Sequence, residues 1–365
     1  MTAPLPAPPN LPEPTAQNRA INGLRGFSAL CVVLYHLHNM ATGAAFFRPQ
    51  YPPSVQTLIA GTGHFGVMLF FMISGYLILR SLSRHGSIGR FLKLRVVRIY
   101  PVFLLLHLLL FTVGPLRHYE WMAHLSPASY VIHFLSNLLF LPGVLDLPIA
   151  QKNAWSLSYE ATFYVLAALL YFATRPNNRL LWLRRAALAA GLVGAGAFLY
   201  HRPYAGFLLV GVLLHFAQER FAGSLERVAQ TPWLGGVGLL AAFIAFAFAD
   251  AGLAVPVLFP IALLCAGGFF ATIIAERGGF AALLQTRPLQ YFGIISYSFY
   301  LIHPFVLDPL RAAFRPVAAS LQSEMWTTVL FVASGLLVAT VVADLSHRLV
   351  ETAFTNRYLR AWASR

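Results

Sequence analysis

The chain has 365 residues, of which 58% are hydrophobic and 10% charged, and its formal net charge is +14 at pH 7. An ordinary soluble domain carries about a quarter charged residues, so this composition excludes a water-soluble globular protein. In a soluble protein the basic excess would raise the question of nucleic-acid binding. The positions of the charges along the chain give a different explanation.

Apolar runs of roughly 17 to 25 residues recur along most of the sequence, separated by short Arg-rich or Pro-rich connectors, and this pattern predicts serial transmembrane helices. We therefore expect an all-α polytopic integral membrane protein with about ten transmembrane helices and with cytoplasmic N- and C-termini. The expected spans are 22–40, 58–79, 99–115, 155–173, 183–200, 204–217, 234–249, 254–275, 290–308 and 326–347.

In this topology most of the 26 Lys and Arg residues lie on the cytoplasmic side. The outer side carries Arg48, Arg117, Lys152, Arg202, Arg311 and Arg315. This asymmetry follows the positive-inside rule, so the charge indicates topology and contact with anionic lipid, not a nucleic-acid partner. We expect a disordered Pro-rich cytoplasmic tail over 1–18, a membrane domain over 19–350 and a basic cytoplasmic tail over 351–365.

The first predicted span carries two ionisable side chains on one face. Arg25 enters at the cytoplasmic end, and His36 follows eleven residues later, which is three helical turns and about 20°. The axial separation is roughly 16 Å, so His36 is expected in the outer half of the membrane. Ionisable groups at such depths are candidates for function, although a hydrogen-bonded packing histidine with a snorkelling arginine is the structural alternative.

Two features precede the fourth span. Arg95 and Arg98 are three residues apart, which places them on one helix face at the cytoplasmic surface in a geometry suited to holding phosphates. Topology determination and binding of anionic lipid are the alternatives for this basic segment. Residues 129–141 form an apolar segment too short to cross, which we expect to be re-entrant or interfacial.

The fourth span begins with Trp155 and Ser156 and places Glu160 near the depth assigned to His36. A carboxylate at that depth needs a partner, and Tyr164 lies one turn further along the same face. If the first and fourth spans pack together, His36, Glu160 and Tyr164 converge. A structural carboxylate bonded to a hydroxyl or a helix end is the other interpretation.

The ninth span places Ser296, Tyr300 and His303 on one face, with Tyr297 beside them. Pro304 removes a backbone donor and kinks the helix there. A kinked helix rich in hydroxyl groups suits a polar cavity, and an interhelical hydrogen-bond seam is the alternative.

These segments together resemble the integral membrane acyltransferase family 3. The first-helix pattern of a basic residue, ten residues and a histidine is similar to LRGFSALCVVLYH, and the glycine- and phenylalanine-rich second helix is similar to FGVMLFFMISGYLI. The paired arginines, the tryptophan-serine-leucine segment with its glutamate and the late tyrosine-histidine segment are similar to RVVRIYP, WSLSYEATFY and ISYSFYLIHPF. RLVETAF resembles the terminal motif but has Thr352 where the family usually has proline, which leaves the role of Glu351 open.

The resemblance implies an O-acyltransferase domain over 19–350. It would move an acyl group, usually acetyl, from cytoplasmic acetyl-CoA to a carbohydrate hydroxyl of a surface glycan at the bacterial inner membrane. The expected catalytic residues are His36, Glu160 and Tyr164, and the expected donor-binding residues are Arg25, Arg95 and Arg98. The expected cavity residues are Trp155, Ser156, Ser296, Tyr297, Tyr300 and His303, and no metal is expected. A transporter or flippase of lipid-linked saccharides, or a polymerase, is the alternative.

Overall fold

The structure is a computed structural model that describes residues 18–175, 181–231 and 233–357. Within these ranges it is helical, and no strand occurs. The helices are α1 (Arg19–Gly43), α2 (Pro53–His85), α3 (Ile88–Val113), α4 (Pro127–Leu138), α5 (Trp155–Thr174), α6 (Leu181–His201), α7 (Gly206–Arg220), α8 (Ala222–Ala229), α9 (Leu234–Asp250), α10 (Val255–Ile274), α11 (Gly278–Leu284), α12 (Arg287–Leu321) and α13 (Glu324–Ser346).

By length and composition, seven helices of the described ranges can cross a membrane, or eight if α7 and α8, bent by 116° relative to each other, form one span. A multi-pass membrane protein is therefore confirmed. Every predicted span coincides with a helix, but the number ten and the orientation of the termini stay predictions. α9 has 17 residues, about 25 Å, which is shorter than the hydrocarbon core, and α12 is interrupted by three prolines and carries charged residues.

Two of the expected connectors and tails are partly helical, and the segment expected to be re-entrant or interfacial contains a short helix. α2 and α3 extend through most of the basic segment, so Arg95 and Arg98 lie on the first half of α3. α4 has 12 residues, overlaps the expected segment 129–141 and is too short to cross, as expected. The last helix continues through a π-helical turn at His347–Thr352, which contains Glu351. Residues 1–17 and 358–365 of the expected tails lie outside the described ranges.

The connector between α4 and α5 is fastened to the end of α6. Arg202 donates hydrogen bonds to the Val144 carbonyl at 2.7 Å and to the Asp146 carboxylate at 2.8 Å. The hydrogen bond from Arg202 lowers the pKa of the Asp146 carboxyl, which lies outside the spans. The contact holds the connector over the bundle, next to the start of α5.

Glycines let α1 and α12 pack unusually closely. A Cβ added at Gly26 would lie 2.3 Å from the Leu289 carbonyl oxygen, and one added at Gly293 would lie 2.1 Å from the Asn22 carbonyl oxygen. Both distances are far below van der Waals contact, so only glycine permits this approach. The close packing brings the outer halves of α1 and α12, which carry the two predicted histidines, into contact.

The proline of α12 explains a contact that crosses the bundle. Pro304 has no N–H, so the Tyr300 carbonyl one turn earlier loses its helical hydrogen bond. The side-chain amide of Asn153, just before α5, donates to that carbonyl. In addition, the Tyr300 hydroxyl donates a hydrogen bond to the Asn153 carbonyl at 2.9 Å. The kink in α12 is thereby joined to the start of α5.

Candidate active site

Two cavities with different linings lie inside the bundle. The first, the arginine cavity, has a volume of about 80 Å³ and is lined by residues of α1, α2, α3, α5 and α12. Its polar lining consists of Arg25, Ser74, Arg95, Arg98, Ser156, Glu160, Tyr164, Ser296, Tyr297 and Tyr300. The structure thus brings together all three predicted donor-binding arginines with most of the other predicted residues.

Glu160 is hydrogen-bonded on both carboxylate oxygens in the arginine cavity. The Ser74 hydroxyl donates to one oxygen at 2.5 Å, and the Tyr164 hydroxyl donates to the other at 2.8 Å. The predicted contact between Glu160 and Tyr164 is therefore present, as the four-residue spacing on α5 implies. Ser74, on α2, was not among the predicted residues.

The arginines differ in how firmly they are held. The Arg95 guanidinium donates to the Ser81 hydroxyl at 3.2 Å and lies over the Phe91 ring, 5.6 Å from its centroid. Arg98, one turn further, is exposed. Arg25 faces these cations from α1. A half-buried Arg95 with a fixed plane beside an exposed Arg98 gives an anion site with one rigid and one adaptable contact.

The second cavity, the histidine cavity, has a volume of about 600 Å³ and contains His36 in its lining. Other polar residues of this lining are Tyr35, Asn39, His64, Tyr119, Gln151, Lys152, Asn153, Trp155, Tyr300, Asp308 and Arg311. Polar and aromatic groups thus share the wall, a combination that suits ligands with many hydroxyl groups.

His36 packs against His303 and not against Glu160. The His36 and His303 ring centroids are 5.0 Å apart, and His303 is fully buried. The Nδ1 atom of His303 lies 3.2 Å from the Phe299 carbonyl, and its Nε2 has no hydrogen-bond partner among the described residues. The expected convergence of His36 with Glu160 and Tyr164 was wrong, because α5 presents its carboxylate to α2 and the arginine cavity.

The two cavities meet at Val67 and Tyr300, which line both. The Tyr300 ring is buried, and its hydroxyl lies 2.9 Å from the Ser156 hydroxyl. Ser156 faces the arginine cavity, while its neighbour Trp155 faces the histidine cavity. Tyr300 therefore stands between a cationic compartment and a compartment lined by histidines.

Two polar clusters beside these cavities were not predicted. His64 pairs with Asp250, which also accepts a hydrogen bond from Tyr204. The Glu351 carboxylate accepts one hydrogen bond from the Ser298 hydroxyl at 2.9 Å and lies 3.1 Å from Nδ1 of His347. His64 was visible in the sequence as a histidine near the end of a span, but nothing there indicated Asp250 as its partner. The four-residue spacing of His347 and Glu351 was a readable signal.

No group of three or more His, Cys, Asp or Glu side chains suited to a metal ion occurs in the part of the chain that the structure describes. The described residues thus form a multi-pass membrane protein in which an arginine-lined cavity and a cavity lined by hydroxyl and imidazole groups share Val67 and Tyr300 as wall residues.

Comparison with known proteins identifies the family to which the chain belongs. Residues 18–348 match the family model described as acyltransferase domain, that of acyltransferase family 3. Acyltransferase MdmB of Streptomyces mycarofaciens is 28% identical over 363 residues, covering 91% of this chain and 90% of that protein. No solved structure matches the chain.

Two longer relatives carry more specific names. The peptidoglycan O-acetyltransferase OatA of Listeria monocytogenes is 27% identical, covering 91% of this chain and 55% of that protein. The O-acetyltransferase OatA of Staphylococcus aureus is 25% identical, covering 94% of this chain and 58% of that protein. The chain spans little more than half the length of these two relatives.

The chain belongs to acyltransferase family 3. The predicted family and the predicted acyltransferase activity are therefore both confirmed.

Proposed function

We propose that this enzyme is a membrane O-acyltransferase that moves an acyl group, with acetyl the first choice, from acyl-CoA to a carbohydrate hydroxyl. The contact between the arginine cavity and the histidine cavity at Tyr300 is the observation that carries the proposal. Relatives named as O-acetyltransferases, one of them acting on peptidoglycan, support the choice of acyl group and acceptor. Two adjoining compartments allow donor and acceptor to enter separately.

The arginine cavity is the donor side of the proposed reaction. Guanidinium groups bind phosphates through charge-assisted, paired hydrogen bonds, and CoA carries phosphates on its nucleotide end. A volume of about 80 Å³ admits the acyl end of the donor but not the nucleotide, which would lie outside against the exposed Arg98. Glu160 and Tyr164 line the same cavity as Arg25 and would face the arm of the donor.

The histidine cavity is the acceptor side. Its volume of about 600 Å³ suits one or two sugar rings, and Trp155 and Tyr35 offer aromatic surfaces beside polar groups. The imidazoles of this cavity, His36 among them, supply proton transfer to the reacting groups, because a neutral imidazole can take a hydroxyl proton and an imidazolium can return one to the departing thiolate. His303 packs behind His36 and fixes the position of its ring.

The sequence-based expectation of ten spans with cytoplasmic termini assigns the two compartments to opposite sides of the membrane in this proposal. Arg95 and Arg98 would then lie at the cytoplasmic face, where acyl-CoA is made, and His36 toward the outer face of a bacterial inner membrane. The acyl group would then cross only the distance between the cavities. The bulky, charged CoA would stay on the cytoplasmic side.

Purified protein in nanodiscs tests the activity directly. Incubation with acetyl-CoA and a GlcNAc–MurNAc disaccharide from peptidoglycan, or oligosaccharides of the host's other surface glycans, should release free CoA thiol and add an acetyl-sized mass to one acceptor. Glycan extracted from cells without the gene should lose that increment and keep its polymer. Loss of the whole polymer, with no CoA release by the purified protein, would instead indicate a flippase or polymerase.

A further inference from the structure

A histidine and a carboxylate form a dyad at the wall of the histidine cavity. The Nδ1 atom of His64, on α2, lies 2.8 Å from Oδ2 of Asp250, the last residue of α9. Tyr204, in the short turn before α7, donates its hydroxyl to the other carboxylate oxygen. The carboxylate is thus fixed by two donors from two different elements.

The packing of α2 against α9 is built to bring this pair together. A Cβ added at Gly61 would lie 2.5 Å from the Cβ of Ala247, so the two helices touch one turn before the dyad. Asp250 and Tyr204 do not line the histidine cavity, whereas His64 does. The carboxylate therefore stands behind the imidazole as seen from the cavity.

The pairing decides which ring nitrogen is reactive. A carboxylate only accepts hydrogen bonds, so Nδ1 of His64 carries the proton and the lone pair lies on Nε2. The His64 side chain is 45% exposed and its partner only 12%, which leaves the ring open to the cavity and the carboxylate covered. A covered carboxylate that orients an imidazole is the arrangement that general-base histidines use in acyl transfer.

We propose that His64 is the general base for the acceptor hydroxyl and that Asp250 is its positioning residue. This inference rests on the proposed acyl transfer and divides its two proton transfers between two histidines. The sequence led us to expect Glu160 as the carboxylate partner of His36, whereas the structure pairs a different carboxylate, Asp250, with His64.

The proposed step balances as follows. Nε2 of His64 takes the proton of the acceptor hydroxyl while the hydroxyl oxygen attacks the carbonyl carbon of the thioester. The new C–O bond forms, the C–S bond breaks, and the CoA thiolate leaves with the electron pair and receives a proton from the imidazolium form of His36. The proton on His64 then passes to His36 through the cavity, which restores the neutral imidazole of His64 and the imidazolium of His36.

Several other titratable groups share the cavity with His64. They are Tyr35 and His36 from α1, Tyr119 from the segment between α3 and α4, Lys152 from the connector between α4 and α5, and Tyr300, Asp308 and Arg311 from α12. A pH profile alone would therefore mix several titrations, so the test uses chemical rescue and a change of acceptor.

The test compares wild type, His64→Ala, Asp250→Asn and the matched control His201→Ala in nanodiscs with acetyl-CoA. His201 is an exposed histidine at the end of α6 that does not line the cavity. Acceptors are the GlcNAc–MurNAc disaccharide, glycerol as a small alcohol, and hydroxylamine, which attacks thioesters without a general base. Free CoA thiol and acetylated product are measured, with protein-free rates subtracted.

Loss of the base in His64→Ala should lower kcat/KM for the alcohols about 100-fold or more. Added imidazole should restore at least a tenth of the lost kcat/KM. Asp250→Asn should lower the rate by at least about tenfold without rescue by imidazole. All variants should retain the hydroxylamine reaction, which excludes misfolding as the cause.

Two results overturn the inference while leaving acyl transfer intact. One is a His64→Ala enzyme as active on alcohols as His201→Ala. The other is an equal loss with hydroxylamine and with alcohols that imidazole does not restore. If wild type releases no CoA thiol with any acceptor, the proposed function itself fails, and the two failures are thereby distinguished.

Discussion

Replacing Arg98, the exposed arginine of the arginine cavity, should weaken binding of the acyl donor without slowing the acyl-transfer step. A hydrogen bond to a charged group contributes about 1.5 to 3 kcal/mol, and tenfold in affinity corresponds to about 1.4 kcal/mol. Arg98→Gln should therefore raise the KM for acetyl-CoA by about 10- to 150-fold at nearly constant kcat. Arg98→Lys should recover most of this, because an exposed and adaptable cation needs no fixed plane.

The neighbouring arginine should respond differently to the same change. Arg95 lies over the Phe91 ring and donates to Ser81, so its planar guanidinium is already oriented. A lysine cannot reproduce either contact, and Arg95→Lys should be about as harmful as Arg95→Gln. Lys93→Gln is the matched control, since Lys93 is an exposed cation on the same helix that does not line the cavity.

The assay is the KM for acetyl-CoA, repeated with dephospho-CoA acetylated at the thiol. If Arg98 contacts the 3′-phosphate of CoA, its replacement should raise the KM much less for the dephospho donor than for acetyl-CoA. The reasoning is refuted if Arg98→Gln and Lys93→Gln shift the KM equally, or if Arg98→Gln lowers kcat without changing the KM.

Three further changes test other parts of the structure. His36→Ala should lower acyl transfer by about 10²- to 10⁴-fold with donor binding retained; unchanged transfer would contradict its role. Gly293→Ala should destabilise the solubilised protein by about 1 to 3 kcal/mol, whereas Gly236→Ala, where a Cβ meets no atom within 4 Å, should not. Asn153→Ala should lower the free energy of unfolding by about 1 to 3 kcal/mol. Adding Pro304→Ala should recover part of this stability, since an N–H at 304 can satisfy the Tyr300 carbonyl. Thermal unfolding measures the stability of all these variants.

Much of the fold could be predicted because apolar length is a local property of the sequence. Each expected span coincides with a helix, and the spacing of residues on one helix correctly indicated that Glu160 contacts Tyr164. The ends of helices were less predictable. α2 and α3 continue through polar, basic sequence because a helix that leaves the membrane can continue in water.

The candidate site was predictable in its members but not in its pairings. Helical periodicity tells which residues share a face, but the neighbour of that face depends on how helices pack. The Glu160 carboxylate was expected beside His36 and lies beside Ser74, because α5 meets α2 at that point. The pairing of His64 with Asp250 joins residues 186 positions apart, a contact that one sequence without packing information cannot show.

Transfer between the two sides of a sealed membrane tests the central claim most directly. Proteoliposomes would hold acetyl-CoA with labelled acetyl in the lumen, and an acceptor oligosaccharide that cannot cross the bilayer would be added outside. The proposed path between the adjoining cavities predicts labelled acceptor outside and free CoA inside, with the label lost in Arg98→Gln when donor is limiting. Labelled acceptor that forms only when donor and acceptor are on the same side would contradict a path between the cavities.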